Sequence, residues 1–350
     1  GTIVVGARGS IGSPRLPSYT SFGATQTTIT ITPHYGTVEP RYLLHALRFF
    51  DFKTITAQQA VPMLTVKQLS SVPVWLPMRN DQLAIARILD TLDTQIEKTQ
   101  ALIAKLEQVK EGLLHDLLTR GVDENGGLRP SAEEAPELYK ESVLGLIPKA
   151  WDVAALRSVG EVVTGTTPPA SDPAAWGSNL PFFTPSDIQH GKVTGHAERS
   201  LSRRGLKYVR VLPSSATLVV CIGSLGKVGL ASTSGATNQQ INSVIPSDGF
   251  DPMYVFAAVQ KNVTQLYAWA GLQVLPIVKK SQFEEMLIPA PTREEQLRIS
   301  LTFRKTDMQH AQLREEVEKL RSLKSGLMED LLTGRVRVTS LLEREAAEAG

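Results

Sequence analysis

Cysteine is all but missing from this 350-residue chain, in which Cys221 stands alone. A single thiol excludes a disulfide framework and any multi-cysteine zinc site, and it suits a reducing cytoplasm. No run of about 18 apolar residues occurs, so no helical membrane span is expected. No secretory leader is expected. The chain also opens on Gly1 without an initiator Met, in what reads as the middle of a domain, and a fragment is expected. Charge of one sign is lacking too. The 37 Lys and Arg stand against 35 Asp and Glu, a net +2 that as an average favours neither a polyanion binder nor an acidic protein. What is present is a 42% hydrophobic fraction, enough for real cores, in a length that suits two or three domains.

The chain repeats itself. Gly9-Ser10-Ile11-Gly12 returns as Gly223-Ser224-Leu225-Gly226, an offset of 214, and Gly23-Ala24-Thr25 returns as Gly235-Ala236-Thr237, an offset of 212. Pro40 and Tyr42 match Pro252 and Tyr254. From Pro62 onward the offset stays at 214: Pro77, Arg79, Asp81, Gln82 and Leu83 answer to Pro291, Arg293, Glu295, Gln296 and Leu297. Such a period is too long for a solenoid; it is a whole domain plus a helix, present twice. The second copy has a leader, about 145 to 215, without a counterpart in the first. The first domain is therefore expected to lack roughly its N-terminal 70 residues.

Each copy has a front part of short β-branched runs between Gly, Pro, Ser and Asn, read as mixed β with some helix. Pro40 to Leu47 and Pro252 to Gln260 read as short helices with Pro in the first turn. The back part is one long helix. Ile85, Leu89, Leu92, Ile96, Thr99, Ile103, Leu106, Lys110, Leu113 and Leu117 step by four and three, a heptad seam. Adding 214 gives Ile299, Phe303, Thr306, His310, Leu313, Val317, Leu320, Lys324, Leu327 and Leu331. Two such apolar stripes are expected to cover each other as an antiparallel coiled coil. His310 reads as a polar group within the seam. The expected organisation is the C-terminal part of a first domain over 1–75, a helix over 76–121, a polar linker over 122–144, a second domain over 145–290, a second helix over 291–336 and a tail over 337–350. The fold class is α/β (α+β), duplicated, joined by the two helices.

Dividing the charge by segment changes its meaning. Residues 1–75 carry about +4, 76–144 about −5, 145–290 about +3, and 291–350 balance. Basic globular parts on non-basic helices suit contact with a polyanion at two places.

Several residues together carry a family resemblance. Pro291, Gln296 and Ile299 lead into a helix ending Gly326-Leu327-x-x-Asp330-Leu331-Leu332-Thr333-Gly334, and Pro77 to Ile85 with Gly112 to Thr119 repeat that pattern. Ile147-Pro148-x-x-Trp151, Val163-Thr164-Gly165-x-Thr167-Pro168, Asp187-Ile188, Gly223-Ser224-x-Gly226 and Ala236-Thr237-Asn238-Gln239 complete it. This set resembles the DNA specificity subunit of type I restriction–modification systems. The resemblance implies two target recognition domains, each reading half of a split sequence in double-stranded DNA, with the paired helices setting the gap. It implies docking of two methyltransferase subunits, a motor–nuclease subunit in the full complex, no catalysis or cofactor in this chain, and a bacterial or archaeal cytoplasm. Two further readings stay open: the specificity portion of a fused restriction–methylation enzyme, and a helical scaffold that does not bind DNA.

Catalytic signals are wanting. Asn-Pro-Pro-Tyr, His-Glu-x-x-His and a Cys/His cluster are absent, and Gly223 to Lys227 misses the spacing of a phosphate loop and reads as a tight turn. Cys221, Trp151 and Trp176 read as core. DNA contact calls for Lys and Arg at phosphates, and for Arg, Asn or Gln at base edges. The candidates are Arg203, Arg204, Lys207, Lys227, Lys279 and Lys280, with Asn238, Gln239 and Gln240 as adenine readers or internal loop caps. Arg8 and Arg15 are the first-domain candidates.

Overall fold

A computed structural model describes residues 1–19, 21–56, 63–271 and 275–338. The tail expected over 337–350 lies almost wholly outside them. The chain forms two compact units, Gly1–Lys105 with His310–Gly350, and Leu106–Gln309.

In the first unit β1 (Ile3–Gly6) pairs antiparallel with β2 (Thr28–Ile31). Alternation turns Ile3 and Val5 inward, against Leu44 and Leu47 of α1 (Pro40–Phe49) and Phe52 ahead of α2 (Lys53–Thr56). Leu69 of α3 (Val66–Ser70) closes this core, and a capping box between Thr65 and Gln68 starts that helix. The long helix α4 (Arg79–Thr119) gives its first part to this unit. Ile85 and Leu89 are buried beside Tyr42 and Ala46 of α1, and beside Met328, Leu331 and Leu332 of α9 (Arg293–Leu332).

The second unit begins with the hairpin of β3 (Tyr139–Ser142) and β4 (Gly145–Pro148). Then β5 (Asp152–Ala155), the turn-length α5 (Leu156–Val159) and β6 (Gly160–Thr164) lead to β7 (Trp176–Phe183), β8 (Lys192–Thr194) and β9 (Arg199–Leu201). β10 (Thr217–Val220), β11 (Val228–Ala231), β12 (Ala236–Thr237) and β13 (Ile241–Pro246) follow. They make a five-stranded sheet in the order β6-β13-β10-β11-β8 and a three-stranded sheet in the order β12-β7-β9. β10 and β11 are buried at every position, as expected of central strands. Against them pack α6 (Pro252–Lys261) and α7 (Thr264–Ala270). α8 (Lys280–Phe283) and β14 (Leu287–Ala290), which pairs with β5, lead into α9. Here Leu117 of α4 shares a core with Ile299 and Phe303 of α9.

Within each unit the two long helices run antiparallel, and every apolar seam residue expected from the heptad is buried or half-buried. Fully burying one such Leu or Ile is worth roughly 1.5–3 kcal/mol. The two seam lysines have partners. Lys110 pairs with Asp307 in the second unit, and Lys324 with Asp93 in the first. These are one interaction made twice, since Asp93 and Asp307, like Lys110 and Lys324, stand 214 apart.

The duplication reaches single hydrogen bonds. Gln82 accepts from the Glu39 amide and donates to the carbonyls of Thr37 and Pro77. Gln296 accepts from the Asp251 amide and donates to Gly249 and Pro291. The Tyr42 hydroxyl donates to the Trp75 carbonyl, and the Tyr254 hydroxyl to that of Pro289. Arg79 meets Glu39 as Arg293 meets Asp251. These contacts fix the start of each long helix to the start of α1 or α6.

The connector has more structure than its polar composition suggests. Arg129 grips the buried Glu295 carboxylate with both Nη atoms, and that carboxylate also accepts from the Val122 amide. Tyr139 is buried and donates to the Pro130 carbonyl.

Candidate functional site

In the second unit the candidate residues collect around the end of β10. The segment after it turns through Gly223 (φ 79°) and Gly226 (φ 82°), and Gly226 donates its amide to the Val220 carbonyl. Gly9, Gly12 and the Gly12-to-Gly6 bond repeat this turn in the first unit. A side chain on Gly226 would meet Tyr267 at 2.5 Å, and one on Gly12 would meet Phe52 at 2.5 Å. Gly-Ser-x-Gly is thus a packed hairpin turn that needs glycine on both counts.

Two loops are fastened to this turn, and a third to one of them. Cys221 donates to the Gln240 carbonyl, which attaches residues 238–240. Val278 donates to the Cys221 carbonyl and Gly223 to that of Pro276, which attach the strap carrying Lys279 and Lys280. The Thr167 hydroxyl donates to Gln239 Oε1 (2.6 Å) and the Thr166 hydroxyl to the Tyr208 carbonyl (2.7 Å), which link residues 165–168 to both the 238–240 loop and the basic segment.

The side chains divide by role. Asn238 and Gln240 cap each other, with Gln240 also bonded to the Ile222 carbonyl, so these two hold the loop. Gln239 is exposed. Lys227 is half-buried and donates to the Pro185 carbonyl at 3.0 Å. Lys280 pairs with Glu284. Lys279 is exposed at the N-cap of α8.

The segment from Arg199 to Arg210 is richer than the cluster read from the sequence. Arg203 is exposed. Arg204 Nε lies 2.8 Å from Asp172 Oδ2, which also accepts from the Tyr208 hydroxyl at 2.8 Å and has Lys207 Nζ at 3.9 Å. These donors hold the Asp172 carboxyl below the usual carboxylate range, with Arg204 first among them. Arg199 lies over the ring of Trp176, 3.4 Å from its centroid. Trp176 is half-buried, packed edge-on to Phe182 in a small core with Arg199 over its ring, while Trp151 is fully buried as expected. Arg210 faces Glu161. Asp172, Arg199, Tyr208 and Arg210 were not among the candidates legible in the sequence. Its only available signal was that the basic spacing continues on both sides of Arg203.

In the first unit Arg8 is exposed with its Nε toward Met63 Sδ, and Arg15 is joined by its backbone to Val4. Arg15 shares a polar cleft with Arg41, Arg48, Asp90, Asp93 and Glu97. Among the described residues no three His, Cys, Asp or Glu side chains gather as a metal site. Burial pushes the Cys221 thiol up to about 12. The surface offers guanidinium, ammonium, carboxamide and aromatic groups on an anchored frame. Such groups bind charged, planar, hydrogen-bonding ligands.

Comparison with known proteins agrees with that chemistry. The pattern of the type I restriction modification DNA specificity domain matches residues 1–108 and 148–319, one stretch in each repeat. The MjaIX type I restriction enzyme specificity subunit of Methanocaldococcus jannaschii is 30% identical over 168 residues, covering 46% of this chain and 39% of that protein. The HindI type I restriction enzyme specificity subunit of Haemophilus influenzae is 23% identical, covering 76% of this chain and 71% of that protein. The S subunit of a type I restriction–modification system from M. genitalium shares the fold, with a TM-score of 0.60 at 16% identity over 95% of this chain and 82% of that one.

Proposed function

This chain belongs to the type I restriction–modification DNA specificity family, and from that premise we propose that it is the sequence-reading subunit of such a system. In this reading each duplicated unit recognises one half of a split target in double-stranded DNA. The long helices join the two units and carry two methyltransferase subunits, and a motor–nuclease subunit completes the complex. The chain performs no bond chemistry of its own, uses no cofactor, and works in the cytoplasm of a bacterium or archaeon.

The observation that carries this reading is duplication down to single contacts: the same turn, glutamine strut, tyrosine bond and seam ion pair occur in both units. A frame built twice and dressed with different polar loops is what two half-sites of different sequence require. In the second unit DNA would lie along the Gly223 turn, the 238–240 loop and the 199–210 segment. Lys279, Lys280, Lys227 and Arg203 would supply charge, and Gln239 and Arg204 hydrogen bonds to bases. Arg8 and Arg15 would serve the first unit.

Reversing the charge of Arg203, Arg204 and Lys207 together tests this reading against a scaffold that only joins partners. The expected result is loss of DNA binding with methyltransferase association unchanged. Unaltered DNA binding would rule out this surface as the interface.

A further inference from the structure

The Asp172 hub shows what Arg204 is arranged to do. Asp172 stands at the N-cap of the 3-10 turn 173–175, and its side chain is 9% exposed, whereas that of Arg204 is 61% exposed. The two lie on segments tied together, since Ser202 donates its amide to the Ala175 carbonyl and its hydroxyl to that of Ala174. The carboxylate takes Arg204 by Nε, and no other partner of this guanidinium occurs among the described residues. Its Nη1 and Nη2 edge, four N–H donors on a planar group, is left unbonded on a mostly exposed side chain.

Resting on the DNA-reading function above, we propose that Arg204 reads a guanine in the half-site of the second unit, and that Asp172 is the positioning residue that presents it. Two acceptors side by side, such as O6 and N7 on the major-groove edge of guanine, match an arginine fork. A phosphate would match the fork equally well in shape but not in charge. Asp172 is ionised, held so by its donors, and its negative charge would oppose a phosphate close to Arg204, while a neutral base edge meets no such opposition. Base reading also gains most from a fixed side chain, because one correct geometry must be told from three wrong ones. Arg203, exposed and without an ion-pair partner among the described residues, is the phosphate-contacting neighbour in this arrangement.

The experiment uses the full chain in the assembly in which it is isolated, selecting bound sequences from randomised duplexes and then measuring each base substitution. Arg204→Ala should erase the preference for one G·C pair by roughly 5- to 150-fold and leave other positions unchanged. Arg204→Lys, which keeps the charge, should lose the same preference. Asp172→Asn should weaken it by a smaller factor and add nothing in the Arg204→Ala background. Equal loss of affinity on all sequences in Arg204→Ala, with the salt slope lower by about one, would make Arg204 a phosphate contact and overturn the proposal. A preserved sequence profile with a lowered Tm would make the pair an internal strut and overturn it as well. If the unaltered chain selects no sequence at all, the DNA-reading function fails and this proposal with it.

Discussion

Two buried side chains set how each unit is held at its seam. Gln296 is fully buried and satisfies the Asp251 amide and two carbonyls, all within the core that links α6 to α9. Replacing it by Leu leaves a buried amide without a partner, at a cost of about 1–3 kcal/mol. Gln82→Leu should lose a comparable amount in the first unit, and denaturant unfolding of each variant measures both. His45 is fully buried on α1, with Nε2 2.9 Å from Asp90 Oδ1 and with Asp93 and Lys324 as further charged neighbours. Burial lowers its pKa, and the hydrogen bond to Asp90 only partly opposes that. The folded chain therefore binds this proton less readily than the unfolded chain does. The stability it contributes is complete above the unfolded value near 6.5 and is lost as pH falls from there through the folded value. Unfolding midpoints should drop between pH 7.5 and pH 5.5, and His45→Gln should flatten that slope. Cys221, with its thiol raised to about 12, should resist thiol reagents at pH 8 until the protein unfolds.

The long helices carry the clearest signal from sequence to structure. Their four-and-three spacing marked the seam because burial on a helix has that period, and the observed burial follows it. The partners of Lys110 and Lys324 were not legible from either helix alone, since a cross-helix contact depends on register. They become legible once the 214 offset is applied, because each Lys meets the Asp that its repeat mate's helix supplies. Exchanging Lys110 and Asp307 tests that register. Asp307→Lys alone should cost about 1 kcal/mol through like charges, and adding Lys110→Asp should restore most of it. The connector shows the opposite case. Its Asp, Gly and Glu composition read as an exposed linker, but Arg129 is fixed by a glutamate 166 positions away, which local composition does not register. The same holds for Asp172 and Trp176, whose meaning comes from Arg204 and Arg199 rather than from their own neighbours.

For the whole chain, the near-zero net charge conceals basic globular parts and non-basic helices, and the repeat boundaries are what separate them. Fold and family followed from duplication; the candidate interface followed only by residue type until the loops were brought together around the end of β10. The helices lead to one further expectation. Inserting a heptad at matching positions of α4 and α9 adds about 10 Å of helix and should change the gap between half-sites. The central claim is that the two units read a split sequence. Its most direct test is selection of bound duplexes from a randomised pool by the full assembly. The expected result is two short conserved blocks separated by a fixed number of unconstrained base pairs. Enrichment of one uninterrupted block, or of nothing, would contradict it.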